Sequence, residues 1–211
     1  MSDGSAVEAL HQGNQLIKKG DYDGALKYFN AAIARDPKGW ESYYSRASVF
    51  IHQQKWELAL NDLNTVLRLE PSIHEAAIMR ARLNQHLGKF RDSLSDYDKI
   101  INTSKSIWSG EERQSALHDR AWLRATCPEA GFRNGQQAVA DARAACNATS
   151  WSKPGYIDTL AAAYAEAGDF DSAVRFEEQA LAHEKDPDNS KMYNEHLAQF
   201  HAHKPIRQAP K

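Results

Sequence analysis

Two cysteines in 211 residues are too few for a disulfide scaffold and point to a reducing compartment. Apolar runs are short, and none approaches the roughly 18 residues that a membrane span needs. The start, "MSDGSAVEAL", carries an acidic residue where a secretory leader would carry basic ones. A cytoplasmic protein is expected, so the sequons at Asn102 and Asn147 read as chance matches. Charge of one sign is also missing. Lys and Arg total 26 against 28 Asp and Glu, a net charge of −2 that builds no basic field for nucleic acid. No Gly-rich phosphate loop, GxSxG, HExxH or zinc-spaced Cys/His cluster occurs. No cofactor, metal, membrane or nucleic acid is therefore expected.

What is present is a repeat. The blocks "GDYDGALKYFNAAIARDP", "QKWELALNDLNTVLRLEP" and "GKFRDSLSDYDKIINTSK" begin at residues 20, 54 and 88, each 34 residues after the last. Tyr22, Trp56 and Phe90 fall in register, followed by Ala25, Ala59 and Ser93, then Ala32, Val66 and Ile100. "GDFDSAVRFEEQALAHEKDP", from residue 168, repeats the pattern with Phe170, Ala173 and Ala180. Apolar residues within a block recur at i, i+3/i+4 and i+7, the helical spacing. Each block follows another amphipathic stretch, such as "SYYSRASVFIHQ" or "TLAAAYAEA". Gly20, Gly88 and Gly168 stand where a left-handed helix cap is expected, and Pro37 and Pro71 close the second helices. Each unit is a helix–turn–helix.

These features resemble tetratricopeptide repeats: a Gly before the turn, an aromatic just after it, an early Ala in helix B and a terminal Pro. The repeats span about 6–39, 40–73, 74–107, 112–150 and 154–187. In the third, Lys105 replaces the terminal proline. "AWLRATCPEAGFRNGQQA" and "GYIDTLAAAYAEAGDF" resemble a subtype of bacterial, particularly planctomycete, multi-repeat proteins. The resemblance implies an all-α, right-handed α-solenoid of antiparallel helix pairs, forming a single domain over 1–203. Residues 188–203 are expected to form a capping helix over the last apolar flank. The tail 204–211 is expected to be disordered.

In the fourth repeat, Ala121 and Ala138 are 17 residues apart, whereas their counterparts Ala47 and Ala59 are separated by 12. Five residues have entered the turn, punctuated by Pro128, Gly131 and Gly135. The exposed loop around Phe132 and Arg133 is thus of functional interest.

No catalytic residue is expected. Cys127 and Cys146 should lie on the order of 15 Å apart in an antiparallel hairpin, beyond the roughly 7 Å Cα separation of a disulfide. Both read as small buried residues. The nine histidines read as surface residues, because only His201-x-His203 forms a close pair. Tyr22, Trp56, Phe90 and Phe170 read as core rather than as a stacking stripe.

The resemblance implies non-catalytic protein–protein interaction, with a peptide or partner segment along a concave groove lined by the first helices. Carried over, its groove positions are Asn14 and Lys18, then Tyr44, Ser48 and His52, then Ile78, Arg82 and His86, then His118 and Trp122, with Asp158 in the last repeat. For Ile78 and Trp122, packing and binding both stay open. The positions of the chaperone-tail carboxylate clamp hold Leu10, Asn14, Ser45, Glu75 and Met79, and only Asn14 matches. A chaperone C-terminal tail is therefore not the expected partner. Self-assembly into a homo-oligomer is the alternative, and an enzyme using Cys127 the remaining one.

Overall fold

The computed structural model describes residues 4–102 and 110–208. Residues 103–109, which include Lys105, and the tail residues 209–211 lie outside the described residues. The fold is all-helical: the described residues form eleven α-helices and one short 3₁₀ turn, with no strand. None of these helices is long and apolar enough to cross a membrane. The chain divides into two compact units, Met1–Leu87 and Gly88–Lys211. The boundary falls at the turn of the third predicted repeat.

The first unit contains α1 (Gly4–Lys18), α2 (Tyr22–Arg35), α3 (Trp40–His52), α4 (Trp56–Leu69) and α5 (His74–His86). Helices α1/α2 and α3/α4 form the hairpins, and α3 and α5 pack in turn on α2 and α4. The α1/α2 turn is built as the glycine predicts. Gly20 takes φ +79°, the Asp21 N–H reaches the Leu16 carbonyl, and the Asp21 carboxylate then caps α2 at the Gly24 N–H, 2.8 Å away. Small residues set the spacing. A Cβ on Gly13 would lie 2.4 Å from the Phe29 ring, so only glycine lets α1 close over that side chain. Phe29, Ala25 and Val49 are buried beneath it, and a ring so buried contributes about 2 kcal/mol. A second core joins Ala47, Ala59, Leu63, Val66, Ala76 and Leu83.

The second unit contains α6 (Phe90–Asn102), α7 (Gly110–Thr126), α8 (Gly135–Ala148), α9 (Pro154–Glu166), α10 (Phe170–His183) and α11 (Pro187–His201). Asn134, Asp169 and Asp186 cap α8, α10 and α11 through backbone N–H groups. The core runs through Ala121, Ala142, Cys146, Ile157, Leu160, Ala161, Phe176 and Phe200. At Gly135 a Cβ would lie 2.5 Å from the Ala167 backbone nitrogen, so the start of α8 rests directly on the end of α9.

Two expectations are corrected here. The inserted turn is exposed at Glu129, Ala130 and Gly131 but not at Phe132 and Arg133. It forms the 3₁₀ turn Ala130–Phe132, with Phe132 half-buried against Phe90 and Arg133 paired with Glu166 at 3.0 Å. Nor is the described part of the tail, 204–208, disordered. Ile206 is 7% exposed, the Gln208 N–H donates to the Thr126 carbonyl, and Arg207 meets Glu166 at 2.6 Å. An apolar side chain and a cation were present to anchor it, and both find partners.

Candidate functional site

In the first unit, the expected groove positions fall on α1, α3 and α5. Asn14, Lys18, His52 and Arg82 are exposed, while Tyr44, Ser48 and His86 are half-buried. Burial, and then the nearby Glu75 carboxylate, raise the Tyr44 phenol above its ordinary value. Ile78 is 7% exposed and packs inward. The two histidines do structural work. His52 stacks on Tyr22 with ring centres 3.9 Å apart, and His86 lies 4.3 Å from Trp56. The aromatic after each turn therefore carries the histidine thirty residues later.

In the second unit, the expected positions are taken up internally. Half-buried His118 stacks on Tyr156 at 4.3 Å, and its ring nitrogens lie 3.0 Å from the Asp119 carboxylate and the Thr159 hydroxyl. Trp122 is half-buried on the α9–α11 core, 6.1 Å from the His196 ring. Asp158 is only 5% exposed, so it does not line an open surface.

Asp158 belongs to a charge cluster that the surface reading of the histidines missed. His196 on α11 is 8% exposed and lies between Asp158 on α9 and Glu177 on α10. Its Nδ1 is 2.7 Å from Asp158 Oδ1 and 3.6 Å from Glu177 Oε1. Glu177 is fully buried, and neither of its oxygens has a hydrogen-bond partner. Burial pushes its carboxyl up to about 8, against the pull of His196. Burial opposes a charge on His196, but the hydrogen bond to Asp158 and the negative charge of the two neighbouring carboxyls outweigh it and raise the imidazole to about 9.

A sequence signal for this cluster existed. In the 34-residue register, Glu177 stands where other repeats have Phe29, Leu63 and Tyr97, all fully buried. Asp158 stands where they have Leu10, Tyr44 and Ile78. Because that position is core in every other copy, the register marks Glu177 as a buried charge, whereas Leu10 and Tyr44 are half-buried and leave Asp158 unmarked.

Both cysteines are buried and unpaired. Burial raises the Cys127 thiol and pushes the Cys146 thiol to about 12, which disfavours the thiolate that nucleophilic chemistry requires.

Residues 10–65 and 157–191 match models of the tetratricopeptide repeat. A stretch of 57 residues is 37% identical to stress-induced-phosphoprotein 1 of Caenorhabditis elegans, covering 27% of this chain and 18% of that protein. Another, of 54 residues, is 41% identical to DnaJ homolog subfamily C member 3 of Homo sapiens, covering 26% and 11%. The matched stretches thus span less than a fifth of either relative. Among solved structures, a tetratricopeptide repeat protein from Parabacteroides merdae aligns with a TM-score of 0.79 at 18% identity, over 95% of this chain and 74% of the other. YrrB, described as a tetratricopeptide protein with an unusual peptide-binding site, aligns at 0.70 and 14%, over 90% and 92%. Identities this low establish a likeness of fold. The chain carries tetratricopeptide repeats and has the all-α fold of tetratricopeptide proteins.

Proposed function

We propose that the chain is a non-catalytic binding module whose peptide or protein partner lies along α1, α3 and α5. The observation that carries this reading is the exposure of Asn14, Lys18, His52 and Arg82 beside half-buried Tyr44, on helices whose other faces are buried. An aromatic among polar and cationic groups provides an anchor with a polar rim. Lys18 and Arg82 suit a segment bearing acidic side chains. YrrB, of the same fold, binds a peptide, which lends support by analogy of fold alone. In the second unit, His118 and Trp122 pack internally and Asp158 is engaged by His196 instead. The unpaired cysteines suit a reducing compartment, and a cytoplasmic site of action is part of this reading.

The test begins with crosslinking in the native host and mass spectrometry, followed by calorimetry on the partner so identified. Lys18→Glu with Arg82→Glu should weaken that partner about tenfold or more while leaving helical content and melting unchanged. Full affinity in the folded double variant would remove this face from consideration. A mass that rises with concentration in purified protein, and is lost in the double variant, would make the partner a second copy of the chain.

A further inference from the structure

Asp158, Glu177 and His196 come from three successive helices and meet inside the second unit. Each offers one ligand atom, and these atoms all lie within 4.8 Å of one another. Donors bonded to one four-coordinate ion at about 2.0 Å stand roughly 3.3 Å apart. The observed His196–Asp158 and His196–Glu177 separations, 2.7 and 3.6 Å, lie on either side of that value. The remaining pair, Asp158 and Glu177, also lies within 4.8 Å, so all three donors stand within reach of one centre.

A second observation concerns Glu177 alone. It is fully buried, both of its oxygens lack hydrogen bonds, and its register partners Phe29, Leu63 and Tyr97 are core side chains. The repeat scaffold packs an apolar or aromatic group there and needs no carboxylate. Leaving a buried carboxylate unsatisfied is costly, and removing it would be simpler than keeping it. With both carboxyls ionised and His196 neutral, the three side chains carry two negative charges, which a dication balances.

We infer that Asp158, Glu177 and His196 form a binding site for a divalent transition-metal ion, zinc being the best match, that ties α11 to α9 and α10. One imidazole nitrogen with carboxylate oxygens suits zinc better than magnesium or calcium, which prefer all-oxygen shells, and better than Cu(I), which prefers sulfur. These three side chains supply three donors, which leaves the fourth position of a zinc shell to a water molecule. Binding displaces the proton that His196 otherwise holds, so zinc uptake releases protons. His196 keeps 8% of its surface and sits on the last helix, which provides the path of entry.

The experiment uses the full chain, stripped with chelator and then dialysed against zinc sulfate. One zinc per chain should be retained, and melting should rise with zinc concentration. X-ray absorption should report nitrogen and oxygen neighbours without sulfur. Glu177→Gln preserves shape and the His196–Asp158 bond. It should remain folded and lose more than the roughly 10–100-fold in affinity that removing an outer-shell partner costs. His201→Gln with His203→Gln, which removes the exposed pair, should bind as wild type does. The inference is overturned if zinc leaves melting unchanged, if Glu177→Gln binds as tightly as wild type, or if the exposed pair proves to be the ligand. Equal stabilisation by magnesium or calcium would overturn the assigned class of metal.

Discussion

The α3–α4 hairpin and the α9–α11 layer both bury carboxylates, but they neutralise them differently. Arg46 grips Asp62 through two bonds of 2.8 and 2.7 Å and also reaches Asn30. Arg120, which precedes Ala121 as Arg46 precedes Ala47, repeats this with Asp141 at 2.8 and 2.7 Å and with Asp98. A guanidinium keeps its charge at every relevant pH and matches a carboxylate with a planar fork. In the last repeat that register position is Leu160, the carboxylates sit at apolar positions, and the cation is an imidazole from α11. The α3–α4 and α7–α8 hairpins are thus locked by a permanent charge. The last layer is locked by a charge that solution conditions can remove or replace.

The sharpest way to break this comparison is to remove a permanent cation. Arg120→Met should cost about 3 kcal/mol in urea denaturation, because it removes the bidentate partner of buried Asp141 and leaves only Arg124, 3.8 Å away, as counter-charge. Arg46→Met should cost less, since the Arg46 side chain is 21% exposed against 8% for Arg120. Equal losses would mean that burial does not rank the two locks.

The next effect is a pH profile, measured with chelator present. The fold raises His196 from 6.5 to about 9, so its contribution is complete below 6.5 and is lost as pH rises through 9. The fold also raises Glu177, from 4.5 to about 8. There the folded state binds more protons than the unfolded one, so stability declines as pH climbs from 4.5 to 8. Both shifts have the same sign, and melting should fall between mildly acidic and alkaline pH. Glu177→Gln should flatten the lower part of that fall and His196→Gln the upper part. A profile in the variants identical to wild type would show that the last layer is no more titratable than the Arg–Asp hairpins.

The smallest effect compares turns. Gly20 and Gly168 take φ +79° and +86° without penalty, whereas Gln54 takes φ +57° at the equivalent point of the second repeat. Gln54→Gly should stabilise the chain by about 1 kcal/mol, and Gly168→Gln should destabilise it by a similar amount in thermal melting. No gain from Gln54→Gly would place the compensation in contacts of the Gln54 side chain.

Much of this was legible in the residues. The 34-residue register of Tyr22, Trp56 and Phe90, with Gly20, Gly88 and Gly168, points to paired helices because each position answers a local need of a turn, a cap or an apolar stripe. The role of Asp158 was not legible from that pattern. A carboxylate on a first helix reads as exposed unless its partner is known, and His196 lies 38 residues further on. Arg133 read as a loop cation for the same reason, its partner Glu166 being 33 residues away. Ile206 and Arg207 sit in a proline-containing tail whose composition suggests no order, yet both find partners on folded helices.

The sequence by itself therefore determined the helices, their pairing and the positions of their caps, since these depend on neighbours a few residues apart and on a repeating apolar pattern. Only the tertiary structure decided which charges are buried, what Glu177 and His196 face, and where the tail lies. Those outcomes depend on groups distant along the chain arriving in one low-dielectric place, where a polar atom must find a partner or remain costly.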